Sequence, residues 1–169
     1  MTRGDAFGVA GRLYPWKPSL ALGRAAILDE VARAGVALEG PVLDLGCGDG
    51  MFARAMAELG LLERVDVGAD WDIGELRAMV VRPRLGAVRA DLAALPFAGG
   101  SFGSVLCVTV LSSLMGGPEA LERAAAELGR VLRPGGVALV AVATTAFTGE
   151  AWVPKALLRR GRRGGSGGG

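Results

Sequence analysis

The 169-residue sequence has no histidine, only two cysteines and one tyrosine, and no apolar run approaching the roughly 18 residues that span a bilayer. Without histidine there is no Ser-His-Asp relay and no imidazole ligand. Cys47 and Cys107 lie too far apart in sequence to form the paired spacing of a zinc site. A zinc site and a histidine-dependent triad are excluded, and no metal ligand is assigned. Met1-Thr2-Arg3-Gly4-Asp5 does not open a charged-then-apolar leader, so the expected compartment is the cytoplasm, with no membrane span. Acidic residues are missing from the end of the chain. All of them lie at or before Glu150, while Lys155, Arg159, Arg160, Arg162 and Arg163 follow. This basic, glycine-ended tail has no nucleic-acid motif beside it and reads as a solvated terminus, so no nucleic-acid partner is expected.

What is present is core. With 51% hydrophobic against 21% charged residues, the chain has the material for one globular domain and not for a disordered or fibrous one. Its organising stretch is Val42-Leu43-Asp44-Leu45-Gly46-Cys47-Gly48-Asp49-Gly50, an apolar strand introduced by Pro41 and running through a glycine turn into a helix from Met51. Gly46, Gly48 and Gly50 remove the Cβ atoms that would hold a ligand off the backbone, and the free amides of the new helix favour an anionic group. The same turn could serve packing alone. Its G-x-G-x-G spacing, with Met51 where a third glycine of G-x-G-x-x-G would fall, argues against a nicotinamide or flavin dinucleotide.

Residues 1–18 are punctuated by glycine and proline and read as an N-terminal arm. Its Tyr14-Pro15-Trp16 could close over a flat ligand or act as a hydrophobic staple. Ser19 is positioned to cap a helix over 20–34, stopped by Gly35. A second strand over 64–70 ends in Asp70, twenty residues beyond Gly50, where a carboxylate could accept both hydroxyls of a ribose; Asp70 could instead cap the next helix, a task for which Asp72 competes. A helix over 73–80 ends before Pro83. The third strand, 86–90, again ends in a carboxylate, Asp91. That residue could accept from an exocyclic amine, with Leu92 and Trp71 sandwiching a base, or could cap its own short turn. The run 105–111 is apolar throughout and reads as a central strand buried on both faces. A helix from Pro118 to Leu132, a Pro134-Gly135-Gly136 turn and a fifth strand over 137–143 follow.

Five strands alternating with helices predict a Rossmann-like α/β fold, a doubly wound parallel sheet in the order 3-2-1-4-5 flanked by helices. The switch point falls between strands 1 and 4, and the glycine turn, Asp70, Asp91 and Val108 all map to the carboxyl ends of strands at that edge. The expected organisation is an arm over 1–18, a ligand-binding domain over 19–148 and a basic, glycine-rich tail over 149–169.

The glycine stretch, the Asp70 strand end, Ala90-Asp91-Leu92-Ala93-Ala94-Leu95-Pro96-Phe97 with Gly100-Ser101-Phe102, and Glu127-Leu128-Gly129-Arg130-Val131-Leu132-Arg133-Pro134-Gly135-Gly136 together resemble the successive motifs of class I S-adenosylmethionine-dependent methyltransferases. The similarity is to the methyltransferase type 11 group and covers about residues 36–145. It implies S-adenosyl-L-methionine as cofactor and a small-molecule methyl acceptor. It further implies that Gly46, Cys47, Gly48 and Gly50 form the cradle at the methionine moiety, and that Asp44 orients the ammonium. Asp70 would hold the ribose hydroxyls, Trp71 and Leu92 would flank the adenine, Asp91 would accept from its amine, and Val108 would lie near the sulfur. No catalytic residue is assigned, because no general base stands out in a histidine-free chain.

Three features depart from the group. Val108-Thr109-Val110-Leu111 replaces the polar residue and Glu-His that commonly follow the fourth strand, Gly103 replaces the usual aspartate, and the last two strands of the family sheet are not evident. Residues 150–160 read as one amphipathic helix through Trp152, Ala156, Leu157 and Leu158. Two readings follow. In one, an active methyltransferase is completed at its exposed fifth strand by a homo-oligomer or a partner subunit. In the other, a shortened, inactive S-adenosylmethionine-binding module regulates or scaffolds a partner.

Overall fold

The computed structural model describes residues 3–78, 86–111, 117–142 and 155–160. The stretch expected as an arm begins with a helix, α1 (Arg3–Leu13), whose Ala6, Val9 and Ala10 are buried at helical spacing. Helix α2 (Pro18–Ala34) starts at Pro18, not at a Ser19 cap: proline in the first turn forfeits only an amide that has no intrahelical partner, and Lys17 makes no side-chain cap. Gly35 ends α2 as expected, in the left-handed conformation with φ 58°.

Strand β1 (Val42–Leu45) leads into α3 (Met51–Glu58), β2 (Val67–Asp70) into α4 (Ile73–Ala78), and β3 (Gly86–Arg89) through an irregular run into β4 (Phe102–Val108). Helix α5 (Gly117–Val131) then leads into β5 (Leu132–Val142). The sheet has the order β3-β2-β1-β4-β5, with every neighbouring pair parallel, and a sixth strand, β6 (Lys155–Arg160), is added antiparallel to β5. The expected fold is therefore present, with two corrections at its C-terminal side. Residues 155–160 form a strand, not part of a helix, and β5 is not an exposed edge, because β6 pairs with it from Val137↔Arg160 to Val142↔Lys155. One strand beyond the fifth is thus in place. Trp152, Pro83 and Ser112 to Leu114 lie outside the described residues.

Alternation along the central strands sorts the core. Val42 with Leu106, Val108, Leu139 and Ala141 packs beneath α1, α2 and α3 through Ile27, Leu28, Phe52 and Met56. Leu43 and Leu45 with Val105 and Cys107 pack on the other face against Ala124, Leu128 and Val131 of α5. Asp44 shares the parity of Val42, so it points toward α2 and not α5.

Strand limits shift from the sequence reading for local reasons. The second strand starts at Val67 because Asp66 turns aside, accepting from Val42 N at 2.8 Å and from Arg64 Nε at 2.9 Å. The fourth begins at Phe102, which is buried edge-on against Phe97 at 5.1 Å, and stops at Val108, because Thr109 takes φ 65°. Gly103 has a steric reason to lack a side chain: a Cβ there would lie 2.6 Å from Glu39 O and 2.8 Å from Gly40 O. The Pro134-Gly135-Gly136 turn is absorbed into β5, where pairing with β4 slips between Phe102↔Leu132 and Ser104↔Val137.

Candidate cofactor site

At the end of β1 the chain turns sharply. Gly46 N and Cys47 N both donate to Ala69 O of β2, at 2.7 and 3.3 Å, and Gly50 N closes the turn on Cys47 O at 2.9 Å. Gly46 is required twice over: its φ is 63°, and a Cβ would collide with the side chain of Val110. Gly50 caps α3 in the left-handed conformation, and Asp49 Oδ1 accepts from Met51 N at 3.1 Å.

Asp70, at the end of β2, ties this turn down. Its Oδ2 accepts from Gly48 N at 2.8 Å and its Oδ1 from Asp72 N at 2.9 Å. Asp72, the competing cap, takes that role for α4 by accepting from Gly74 N at 2.7 Å. Each Asp70 oxygen has given one lone-pair direction to an amide and keeps others for a ligand.

The turn opens onto a half-open cleft of about 230 Å³. Asp44, Gly46, Cys47, Gly48 and Val108 of the expected set line it. Tyr14 and Trp16 line it as well, so the N-terminal aromatics do reach the site. Gly50, Asp70, Trp71, Asp91 and Leu92 do not form its wall. Trp71 is exposed and stacked on Arg89, whose Cζ stands 4.7 Å from the ring centroid. Asp91 caps its own turn through Ala93 N at 2.8 Å, and Leu92 is buried beside Leu43, Leu45 and Ala69.

The sequence reading missed Arg24. It stands on α2 among buried Ala21, Ala25, Ile27 and Leu28, with its guanidinium 5.2 Å from the Phe52 ring centroid. Its Nε and Nη1 are buried without a hydrogen-bond partner among the described residues. A single cation interrupting an apolar helical stripe was the available signal. Glu75, on α4, also lines the cleft and lies behind Gly48, for which its sequence position gave no signal.

Electrostatics follow from this burial. Desolvation pushes the Asp44 carboxyl up to about 7 although Arg24 opposes the shift and Asp70 adds to it. Burial likewise raises the Tyr14 hydroxyl to about 12, despite Arg24, so at neutral pH it is a donor. Arg24 is itself lowered by desolvation, against the attraction of Tyr14, Asp44 and Asp49. Burial raises the Cys47 thiol far above its usual range, leaving it an unreactive part of the wall.

A ligand with an amino-acid end fits this chemistry. Buried Arg24 nitrogens await an anion, Asp44 awaits a cation, and the side-chain-free turn between them admits close approach of the backbone. The family profile of the methyltransferase domain matches residues 43–140, more than half of the chain. No curated protein matches the sequence. Among solved structures, CalS10 from Micromonospora echinaspora, an amino pentose methyltransferase solved with S-adenosylmethionine bound, is 26% identical with a TM-score of 0.53, over 69% of this chain and 48% of its own. The methyltransferase chain of a complex with the Trm112 activator of Haloferax volcanii is also 26% identical, with a TM-score of 0.55, over 69% and 51%. An S-adenosylmethionine-dependent methyltransferase from Thermotoga maritima is 22% identical, with a TM-score of 0.56, over 71% and 51%. The chain thus spans about half the length of the solved structures it matches. Among the described residues, no helix is long and apolar enough to cross a membrane. The chain belongs to the methyltransferase domain family and has the class I methyltransferase fold.

Proposed function

We propose that this protein transfers a methyl group from S-adenosylmethionine to a small-molecule acceptor. The observation that carries the reading is Arg24, a buried guanidinium with two unpartnered nitrogens on the wall of the same cleft as Asp44. Arg24 would hold the methionine carboxylate, with the Tyr14 hydroxyl as a second donor, and Asp44 would hold the ammonium across the Gly46–Gly48 turn. Asp70 would bind the ribose diol with the lone pairs it has left, and Trp71 and Leu92 would border the adenine. Asp91 would accept the adenine amine on its Oδ2, which has no protein partner among the described residues. Val108 would lie by the sulfur.

The cofactor, when bound, supplies an electrophilic methyl on a sulfonium that leaves as a neutral thioether. The protein's part is mainly alignment and water exclusion, with Tyr14 and Trp16 closing one side of the cleft. No dedicated base is apparent among the described residues. Tyr14 holds its proton at neutral pH, and Asp44 would be engaged by the ammonium. This favours an amine, a phenol-like oxygen or an acidified carbon as acceptor over a plain alcohol; methylation of an unactivated alcohol in a product assay would contradict it.

A second reading, a cofactor-binding module that acts through a partner, is favoured by the partnered chain among its structural neighbours. Calorimetric titration tests the site that both readings share. Wild-type protein should bind S-adenosylmethionine roughly tenfold or more tighter than its decarboxylated analogue, and Arg24→Met should abolish that preference. Absence of binding to folded wild-type protein would overturn both readings. Turnover of an acceptor then separates them.

A further inference from the structure

The run 91–101 between β3 and β4 begins at the carboxylate proposed for the adenine amine, and it holds itself together only weakly. Asp91 caps Ala93, Ala94 N donates to Asp91 O at 3.0 Å, and Ser101 Oγ donates to Ala98 O at 2.8 Å. Its remaining described hydrogen bonds converge on two residues of α5 one turn apart. Glu127 Oε2 accepts from Leu95 N at 2.7 Å. Arg130 donates through Nη1 to Phe97 O at 2.7 Å and through Nη2 to Leu95 O at 3.0 Å, while its own carbonyl accepts from Gly100 N at 2.9 Å. The two side chains are locked to each other, with Arg130 Nε and Nη2 donating to the Glu127 carboxylate at 2.6 and 2.8 Å.

Leu95 therefore has both its backbone N–H and its backbone C=O held by one ion pair. Leu92 and Leu95 are pressed into the core beneath, which leaves Asp91 on the outer side of a pinned turn. We propose that Glu127 and Arg130 are positioning residues for the nucleobase: they fix the 91–97 turn so that the Asp91 carboxylate meets the adenine amine at a set place. This inference rests on the assignment of Asp91 to the adenine amine. The Glu127 carboxyl, lowered to about 2 by Arg130 first and the Leu95 amide second, stays charged across the physiological range, so the clamp does not loosen there.

The test compares S-adenosylhomocysteine with S-inosylhomocysteine, which carries an oxo group in place of the amine, by calorimetry on the full chain. Wild-type protein should prefer the adenine form by roughly tenfold, the scale of one well-placed hydrogen bond, and Asp91→Ala should erase the preference. Arg130→Lys keeps the charge but cannot fork onto two carbonyls and a carboxylate, and Glu127→Ala frees Leu95 N; both should also erase it. Glu127→Gln, which keeps an acceptor for Leu95 N, should restore part of it. Should Glu127→Ala fail to fold, Arg130→Lys carries the test. A preference lost in Asp91→Ala but retained in folded Arg130→Lys would overturn the clamp and leave the Asp91 assignment standing. No preference in wild-type protein would overturn both. A purely structural pair would lower the melting temperature without moving the ratio.

Discussion

Gly48 donates its amide to Asp70 across 2.8 Å, so the carboxylate at the end of β2 sets the shape of the turn at the end of β1. The two expected site elements, twenty-two residues apart, are thus one unit. Asp70 does its holding with lone pairs directed at Gly48 and Asp72, and the ligand would meet what is left.

Replacing Asp70 should therefore damage binding in two ways. Asp70→Ala removes two charge-assisted amide bonds as well as the proposed ribose acceptor, and S-adenosylmethionine affinity should fall roughly tenfold to a hundredfold. Asp70→Asn keeps one acceptor oxygen and should fall between. Calorimetry gives the affinities, and hydrogen exchange at Gly48 reports whether the turn has loosened.

Gly46 should be intolerant for reasons that a double-mutant cycle can separate. A side chain at φ 63° costs about 1–2 kcal/mol, and the collision with Val110 adds about 1–3 kcal/mol of overpacking. Gly46→Ala should lower the unfolding free energy from denaturant titration by the sum. Adding Val110→Ala to it should recover the packing part only, and a full recovery would show that the left-handed conformation carries no strain.

Pairing of β6 with β5 can be broken at two adjacent positions. Leu157 and Leu158 stand opposite Val140 and Leu139, and because successive amides of an edge strand alternate toward and away from the sheet, one of the two faces β5. The double variant Leu157→Pro/Leu158→Pro should lower the melting temperature and, by freeing the β5 edge, produce concentration-dependent association in light scattering. An unchanged, monodisperse double variant would mean that β6 adds nothing to the sheet.

The fold was legible because its signals are local and repeated. Val42–Leu45 and 105–108 are apolar runs that no helix period explains, and the glycine turn between strand and helix fixes the order of the central strands. Less was legible at the ends. Arg3–Leu13 contains Gly4, Gly8 and Gly11, which argue against a helix locally, yet Ala6, Val9 and Ala10 bury on one face, so tertiary packing overrides propensity. Lys155–Arg160 mixes charge with leucine and could follow either period; an unpaired neighbour at β5 decides for strand. Within the site, the glycine turn announced itself by spacing, whereas Asp44 came only from the family resemblance. Arg24 belongs to a different element, α2, and meets Asp44 and the glycine turn only on the wall of the folded cleft.

Asp44 supplies a pH test with a definite sign. Its carboxyl ionises near pH 4 in an unfolded chain but is raised to about 7 by burial in the folded one. Between those values the native state keeps the proton that the unfolded state has released, so ligand-free stability should decline as pH rises from about 4 through about 7. The full difference amounts to roughly 4 kcal/mol, and Asp44→Asn should flatten that part of the profile in urea titrations. An ammonium placed against Asp44 favours the charged carboxylate and so reverses the preference. Binding of S-adenosylmethionine at pH 6 should then release a proton, visible as a dependence of the calorimetric heat on buffer ionisation enthalpy. Affinity should climb between pH 6 and 7 by up to about tenfold and level off above. Asp44→Asn should bind more weakly and without that climb. A wild-type affinity flat across this range would place the ammonium elsewhere than on Asp44.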